Sequence, residues 1–279
     1  MKIRTGYSIA FDTPGPTPMV LMLSVHPSRA ADLLTPDAIA FDPPVPAHQF
    51  LDSFGNVCTR ITAPGGRITM SADLLVRDSG EPDAYAPDAV QHPVEELPDD
   101  VLPFLLGSRY CDTDKLSQTA WSLFGNTPLG WARVQAIVDF VHNHIRFDYQ
   151  KADATRSASD GFAQREGVCR DFAHLAVAFC RCMNIPARYC TGYLGDIGVP
   201  AVPDPMDFSA WFDVYLGGRW YTFDARHNKP RIGRIVIARG RDATDVAIST
   251  SFGPAWLARF DVHTDEVADE APARLARAA

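Results

Sequence analysis

The sequence predicts an α+β fold, strand-rich at its start and end and helical in between. Three observations carry this. Short apolar runs broken by Pro and Gly fill the first hundred residues, apolar residues at three-and-four spacing dominate residues 114–183, and short β-rich runs return beyond Pro186.

Met1 to Asp12 reads as a strand, and Met19 to Val25 is a short apolar run. Asn56–Ile61 and Arg67–Val76 flank Ala63-Pro64-Gly65-Gly66, a hairpin signature. Ser79 to Leu102, rich in Pro, Asp and Glu, reads as an irregular linker. Helices are then expected at Asp114–Phe124, Pro128–Ile145, Ser159–Arg165 and Cys169–Met183. In the last of these, Phe172, Leu175, Ala176, Phe179, Cys180 and Met183 share one stripe, and Asn184 and Pro186 end it. Strands follow at Ala187–Tyr193, Ala210–Leu216, Arg219–Phe223, Ile232–Ala238 and Trp256–Val262. Gly217-Gly218 suits a two-residue turn, because both residues adopt positive φ at little cost. The expected division is a β-sandwich-like N-terminal domain over 1–100, a core domain over 101–263 and a frayed tail over 264–279.

The chain has 279 residues, 46% of them hydrophobic, and a net charge of −8. That acidity argues against a nucleic-acid or anionic-membrane partner, which would require a basic surface. No stretch approaches the roughly 18 apolar residues of a membrane span, and Met1–Asp12 lacks the apolar core of a signal peptide. A cytoplasmic location is the expectation. Six cysteines at 58, 111, 169, 180, 182 and 190 make no compact disulfide framework and no paired Cys-x-x-Cys, so neither a metal nor another cofactor is expected. His142 and His144 diverge on a helix and read as solvated or capping residues.

Cys169 opens the most periodic helix. The helix dipole and the neighbouring Arg170 favour a thiolate there, hence a nucleophile. A cysteine three residues before the buried Phe172 is also what plain core filling looks like.

Four blocks extend the pattern: Gly167-Val168-Cys169-Arg170-Asp171-Phe172-Ala173-His174, Asn184-Ile185-Pro186-Ala187-Arg188-Tyr189-Cys190-Thr191-Gly192-Tyr193, Ala210-Trp211-Phe212-Asp213-Val214-Tyr215 and Arg219-Trp220-Tyr221-Thr222-Phe223-Asp224. In order and spacing they resemble the transglutaminase-like superfamily, and among its members the bacterial cysteine-protease-type proteins with an N-terminal β domain. The resemblance implies a papain-like core whose Cys-His-Asp triad transfers acyl groups from an amide to water or to an amine. Its substrate would be a peptide or protein attacked by Cys169 as nucleophile, with Asp224 as the carboxylate that orients the histidine.

The histidine departs from that pattern. Complete triads carry a His before the Ala-Trp of the strand, and here the position is Ser209, which has no pKa suited to general-base work. Extrapolating the hairpin register from a Gly217-Gly218 turn places Ser209 opposite Arg226 and Trp211 opposite Asp224. His227 substitutes only if the strand bends near Asn228 and Pro230, and His174, about 140° around the helix from Cys169, is the poorer alternative. Arg226 is a candidate to fill the vacated space and pair with Asp224. Tyr149, Tyr193 and Trp211 are candidate cleft-lining residues. The runs 230–234 and 240–242 read as turns on a solvated basic edge. Two functions stay open: an amide-bond enzyme working through Cys169, or a degenerate module that binds peptide without turnover. A thioester or mixed disulfide formed without a histidine is a third.

Overall fold

A computed structural model describes residues 1–202 and 206–268. The N-terminal strands are β1 (Lys2–Thr13), β2 (Thr17–Leu21), β3 (Ala40–Asp42), β4 (Ala47–Leu51), β5 (Val57–Ala63) and β6 (Gly66–Arg77). The expected hairpin of β5 and β6 does not form. β5 pairs with β2 and β4, whereas β6 pairs with β1 and β3. The Ala63–Gly66 turn instead crosses from one sheet to the other, and so does the Pro14-Gly15-Pro16 link between β1 and β2. The two crossings lie side by side, and a Cβ on Gly65 would come within 3.3 Å of the Gly15 Cα. The result is a sandwich whose inner faces bury Ile3, Ile9, Met19, Leu21, Ile61, Ile68, Met70 and Leu74.

Residues 78–112 carry no strand and no α-helix, in keeping with the expected linker. The helices are α1 (Thr113–Phe124), α2 (Trp131–His144), α3 (Ala158–Gln164) and α4 (Cys169–Cys182). The two-residue strands β7 (Arg146–Phe147) and β8 (Glu166–Gly167) pair in parallel just before α4. β9 (Ala187–Tyr193), β10 (Ser209–Leu216), β11 (Arg219–Phe223) and β12 (Ile235–Gly240) form one antiparallel sheet in the order β11-β10-β9-β12. Leu216 faces Arg219 across Gly217 and Gly218, whose φ values are 55° and 82°. α4 is enclosed all round rather than along a single stripe, with every residue from Asp171 to Cys182 buried. It packs on β9 and β10 on one side and on α1, α2 and α3 on the other.

β13 (Ser249–Ser251) and β14 (Trp256–Val267) return to the sandwich. β13 pairs with β2, and β14 runs along β1 from Val267 opposite Lys2 to Trp256 opposite Asp12. Strands from both ends of the described chain therefore build the sandwich. Thr264, expected to start a frayed tail, is buried, and its hydroxyl lies 2.9 Å from that of Thr5. Residues 269–279 lie outside the described residues.

Asn56 ties the sandwich to the sheet of α4. It is fully buried, donates to the Arg239 carbonyl at 2.8 Å and accepts from the Arg239 N–H at 2.8 Å. Asn56→Ala strands both groups of that peptide without partners and should cost about 1–3 kcal/mol. Urea denaturation of both proteins checks this, and an unchanged midpoint would show that the junction tolerates the loss.

Candidate active site

Cys169 is the first residue of α4, and the turn before it is fixed from behind. The Asp171 carboxylate accepts from the Val168 N–H at 2.8 Å, satisfying one of the helix's free donors. Arg156 in turn donates to Asp171 at 3.0 Å, with both side chains buried. Gly167 leaves room for this contact, since a Cβ there would come within 2.3 Å of the Asp171 carboxylate. Sulfur therefore sits at a defined point, half-buried in a cleft of about 410 Å³.

The cleft also takes in Phe147, Tyr149, Ser209, Arg226 and His227. His227 gets there because the strand stops early. β11 ends at Phe223, the Asn228 N–H closes a turn onto the Asp224 carbonyl at 2.8 Å, and Asn228 adopts φ 50°. Within that turn the Asp224 carboxylate accepts from the His227 N–H at 3.0 Å and lies 2.8 Å from its Nδ1. An Nδ1–H donated to Asp224 leaves Nε2 as a base. The ladder that would have placed Arg226 opposite Ser209 does not extend that far.

Arg226 does not pair with Asp224. Its guanidinium lies 3.8 Å from the centre of the Phe147 ring and 5.7 Å from that of Tyr149. The buried cation beside Asp224 is Arg234, at 3.0 Å, and Arg234 also meets Asp83 of the linker at 2.9 Å. Arg231 is buried as well, so the 230–234 run is not a solvated edge. Burial alone would raise the Asp224 carboxyl, but the Arg234 charge and the His227 hydrogen bonds outweigh it and hold it well below the ordinary carboxylate range.

The expected thiolate is not favoured in this cleft. Burial pushes the Cys169 thiol up to about 11, against the opposing influence of the Arg226 charge and the Ala210 N–H. Arg170 is committed elsewhere, donating to the Asp153 and Ala154 carbonyls and stacking 4.2 Å over Tyr110.

Of the aromatic candidates, Tyr149 lines the cleft. Tyr193 does not: it is fully buried against Phe208 at the sandwich side. Trp211 lies behind the site with its ring 5.0 Å beneath the Arg234 guanidinium. His174 is buried between Tyr110 and Tyr189 and accepts from the Ala243 N–H at 3.2 Å. His142 is half-buried and meets the Ala225 and Arg226 carbonyls at 3.1 and 3.0 Å, docking the His227 turn on α2. Arg234 and Asp83 carry no local sequence signal as partners of Asp224, one lying ten residues after it and the other in the linker.

A family model for the transglutaminase-like superfamily matches residues 119–225. The crystal structure of a candidate cysteine protease from Cytophaga hutchinsonii is 31% identical, superposes with a TM-score of 0.83, and the match covers 97% of this chain and 92% of that one. An uncharacterized protein of Mycobacterium bovis is 28% identical over 218 residues, 70% of this chain and 68% of that protein. Another, from Mycobacterium leprae, is 36% identical over 94 residues, and the match spans 33% of that protein's length.

Replacing Arg234 by Met leaves Asp224 buried without its counter-charge and should destabilise the fold at pH 7 by about 3–5 kcal/mol. Because the depressed Asp224 pKa adds stability only above the unfolded value near 3.9, that contribution falls away as pH drops through the folded value. The gap between the two proteins should therefore narrow below about pH 4. Thermal unfolding from pH 7 to pH 3 measures it, and a gap independent of pH would contradict the Coulombic origin.

Proposed function

Because this chain belongs to the transglutaminase-like superfamily, we propose that it cleaves or transfers amide-linked acyl groups through Cys169, with His227 as general base and Asp224 as its orienting partner. The observation that carries this reading is the 2.8 Å contact of His227 Nδ1 with Asp224, made by a histidine that shares the Cys169 cleft. His227 would take over the task that a histidine at position 209 performs in complete triads, reaching the cleft from the turn after β11 rather than from the start of β10.

The chemistry follows from the electrostatics. A thiol held near 11 is protonated at neutral pH, so attack needs a base that removes the proton as the carbon–sulfur bond forms. His227 Nε2 would accept that proton and return it to the leaving nitrogen. The Asp224 carboxylate, ionised across the neutral range, would stabilise the imidazolium between those steps. The acyl group on sulfur then passes to water or to a second amine. A peptide or protein supplies the amide.

A second reading rests on Ser209 and on the same raised thiol: a cleft that binds peptide without turnover. The two readings differ over His227. If it is the base, His227→Ala should lower amide turnover by about 10²–10⁴ and Cys169→Ala should abolish it. Alkylation of Cys169 by iodoacetamide at pH 7, read by mass spectrometry of the modified peptide, should also slow by about tenfold or more in His227→Ala. Alkylation indifferent to His227 and rising only at alkaline pH would favour the binding module.

A further inference from the structure

Arg226 has no acidic partner within salt-bridge distance among the described residues, although it stands in the cleft with Cys169. Most arginines around the site are committed. Arg156 pairs with Asp171, Arg231 with Asp196, and Arg234 with Asp83 and Asp224. Arg226 instead lies over Phe147, its guanidinium carbon 3.8 Å from the ring centre, and its charge reaches Asp207 without a salt bridge to any carboxylate among the described residues.

Its place is built from both sides. Phe147 belongs to β7, which pairs with Gly167, two residues before Cys169. His142 holds the Arg226 carbonyl from α2. The platform is therefore paired two residues before the nucleophile, and the Arg226 charge reaches the sulfur. Lys229 also lines the cleft, and Leu194, Val199 and Phe208 are among its apolar residues. Two acids also line it, Asp196, already engaged by Arg231, and Asp207. In a chain of net charge −8, Arg226 and Lys229 supply the cleft with cationic groups that can attract an anion.

We infer that the cleft selects substrates bearing a free carboxylate close to the scissile amide, with Arg226 as the recognising group. A guanidinium held over an aromatic ring offers two parallel N–H donors to a carboxylate, a geometry lysine cannot match. The occupant is thus an acidic amide or peptide, with its apolar part against Leu194 and Phe208. This rests on the acyl-transfer reading of Cys169 and specifies its substrate class.

Two alkylating reagents of nearly equal size test it without a known substrate. In both, the Cys169 sulfur displaces iodide from carbon while the thiol proton leaves to base. Iodoacetate carries a carboxylate, and iodoacetamide carries the neutral amide in its place. The expected result is a saturable reaction of Cys169 with iodoacetate, slowed by added succinate, and a rate ratio of iodoacetate to iodoacetamide well above that of a free cysteine peptide. Arg226→Gln should lower that ratio by about tenfold or more, and Arg226→Lys, which keeps the charge and loses the fork, should fall between.

A change in Arg226 that acts only by stabilising the thiolate slows both reagents equally and leaves the ratio alone. An unchanged ratio in Arg226→Gln, or iodoacetate kinetics that neither saturate nor respond to succinate, overturns the carboxylate inference while leaving the acyl-transfer reading intact. Failure of both reagents at Cys169 in the folded protein overturns that reading and this inference with it.

Discussion

A buried arginine organises this molecule. Arg234 stands between Asp83 of the linker and Asp224 at the end of the core hairpin, with the face of Trp211 beneath it. Two carboxylates share this one guanidinium, and His227 adds a hydrogen-bonding contact to Asp224 from the cleft side. Removing such charges from water is costly, and only mutual pairing with good hydrogen bonds offsets it. The linker, the hairpin and the proposed base are therefore held by one network of charges and hydrogen bonds. None of the three can shift without exposing the others to an unpaired buried ion.

Cys169 shows two opposing effects of comparable kind. The start of a helix favours an anion, yet removal of the sulfur from water disfavours it, and here burial prevails. A site of this sort keeps its nucleophile as a neutral thiol until a proton acceptor and a substrate are both present. Such a cysteine is less exposed to adventitious oxidation than a standing thiolate, because the thiolate is the form that oxidants attack.

Much of the fold was legible in the sequence because periodicity reports which face is buried. All four helices fall within a few residues of where apolar spacing puts them, and the Gly217-Gly218 turn fixes the register of β10 against β11. Two features were not legible. The Ala63–Gly66 turn carries the residues of a hairpin but serves as a corner, because turn chemistry says where the chain reverses and not which sheet it joins. The sequence of residues 224–228 also left open whether His227 follows strand alternation or escapes it. Asp224 decides this by capping its own turn, a side-chain contact that no pattern of apolar residues encodes. The same holds for Arg226. Its stacking on Phe147 depends on two segments about eighty residues apart meeting at β8 and α2.

The return of β14 to β1 has a consequence for how the protein is made. β1 is synthesised well before β14, so one of its two neighbours arrives only after roughly 240 further residues have been made. Until then the exposed edge of β1 carries unpaired backbone groups along its length, and such edges recruit foreign strands. The α4 core lies between the two halves of the sandwich in sequence. It can therefore be assembled while that edge is still open, and β14 acts as a closing seam for a molecule whose site is already in place. A shortened chain ending before Trp256 would keep every residue of the cleft described here and still be a hazard to itself, sound at the site and adhesive at the edge.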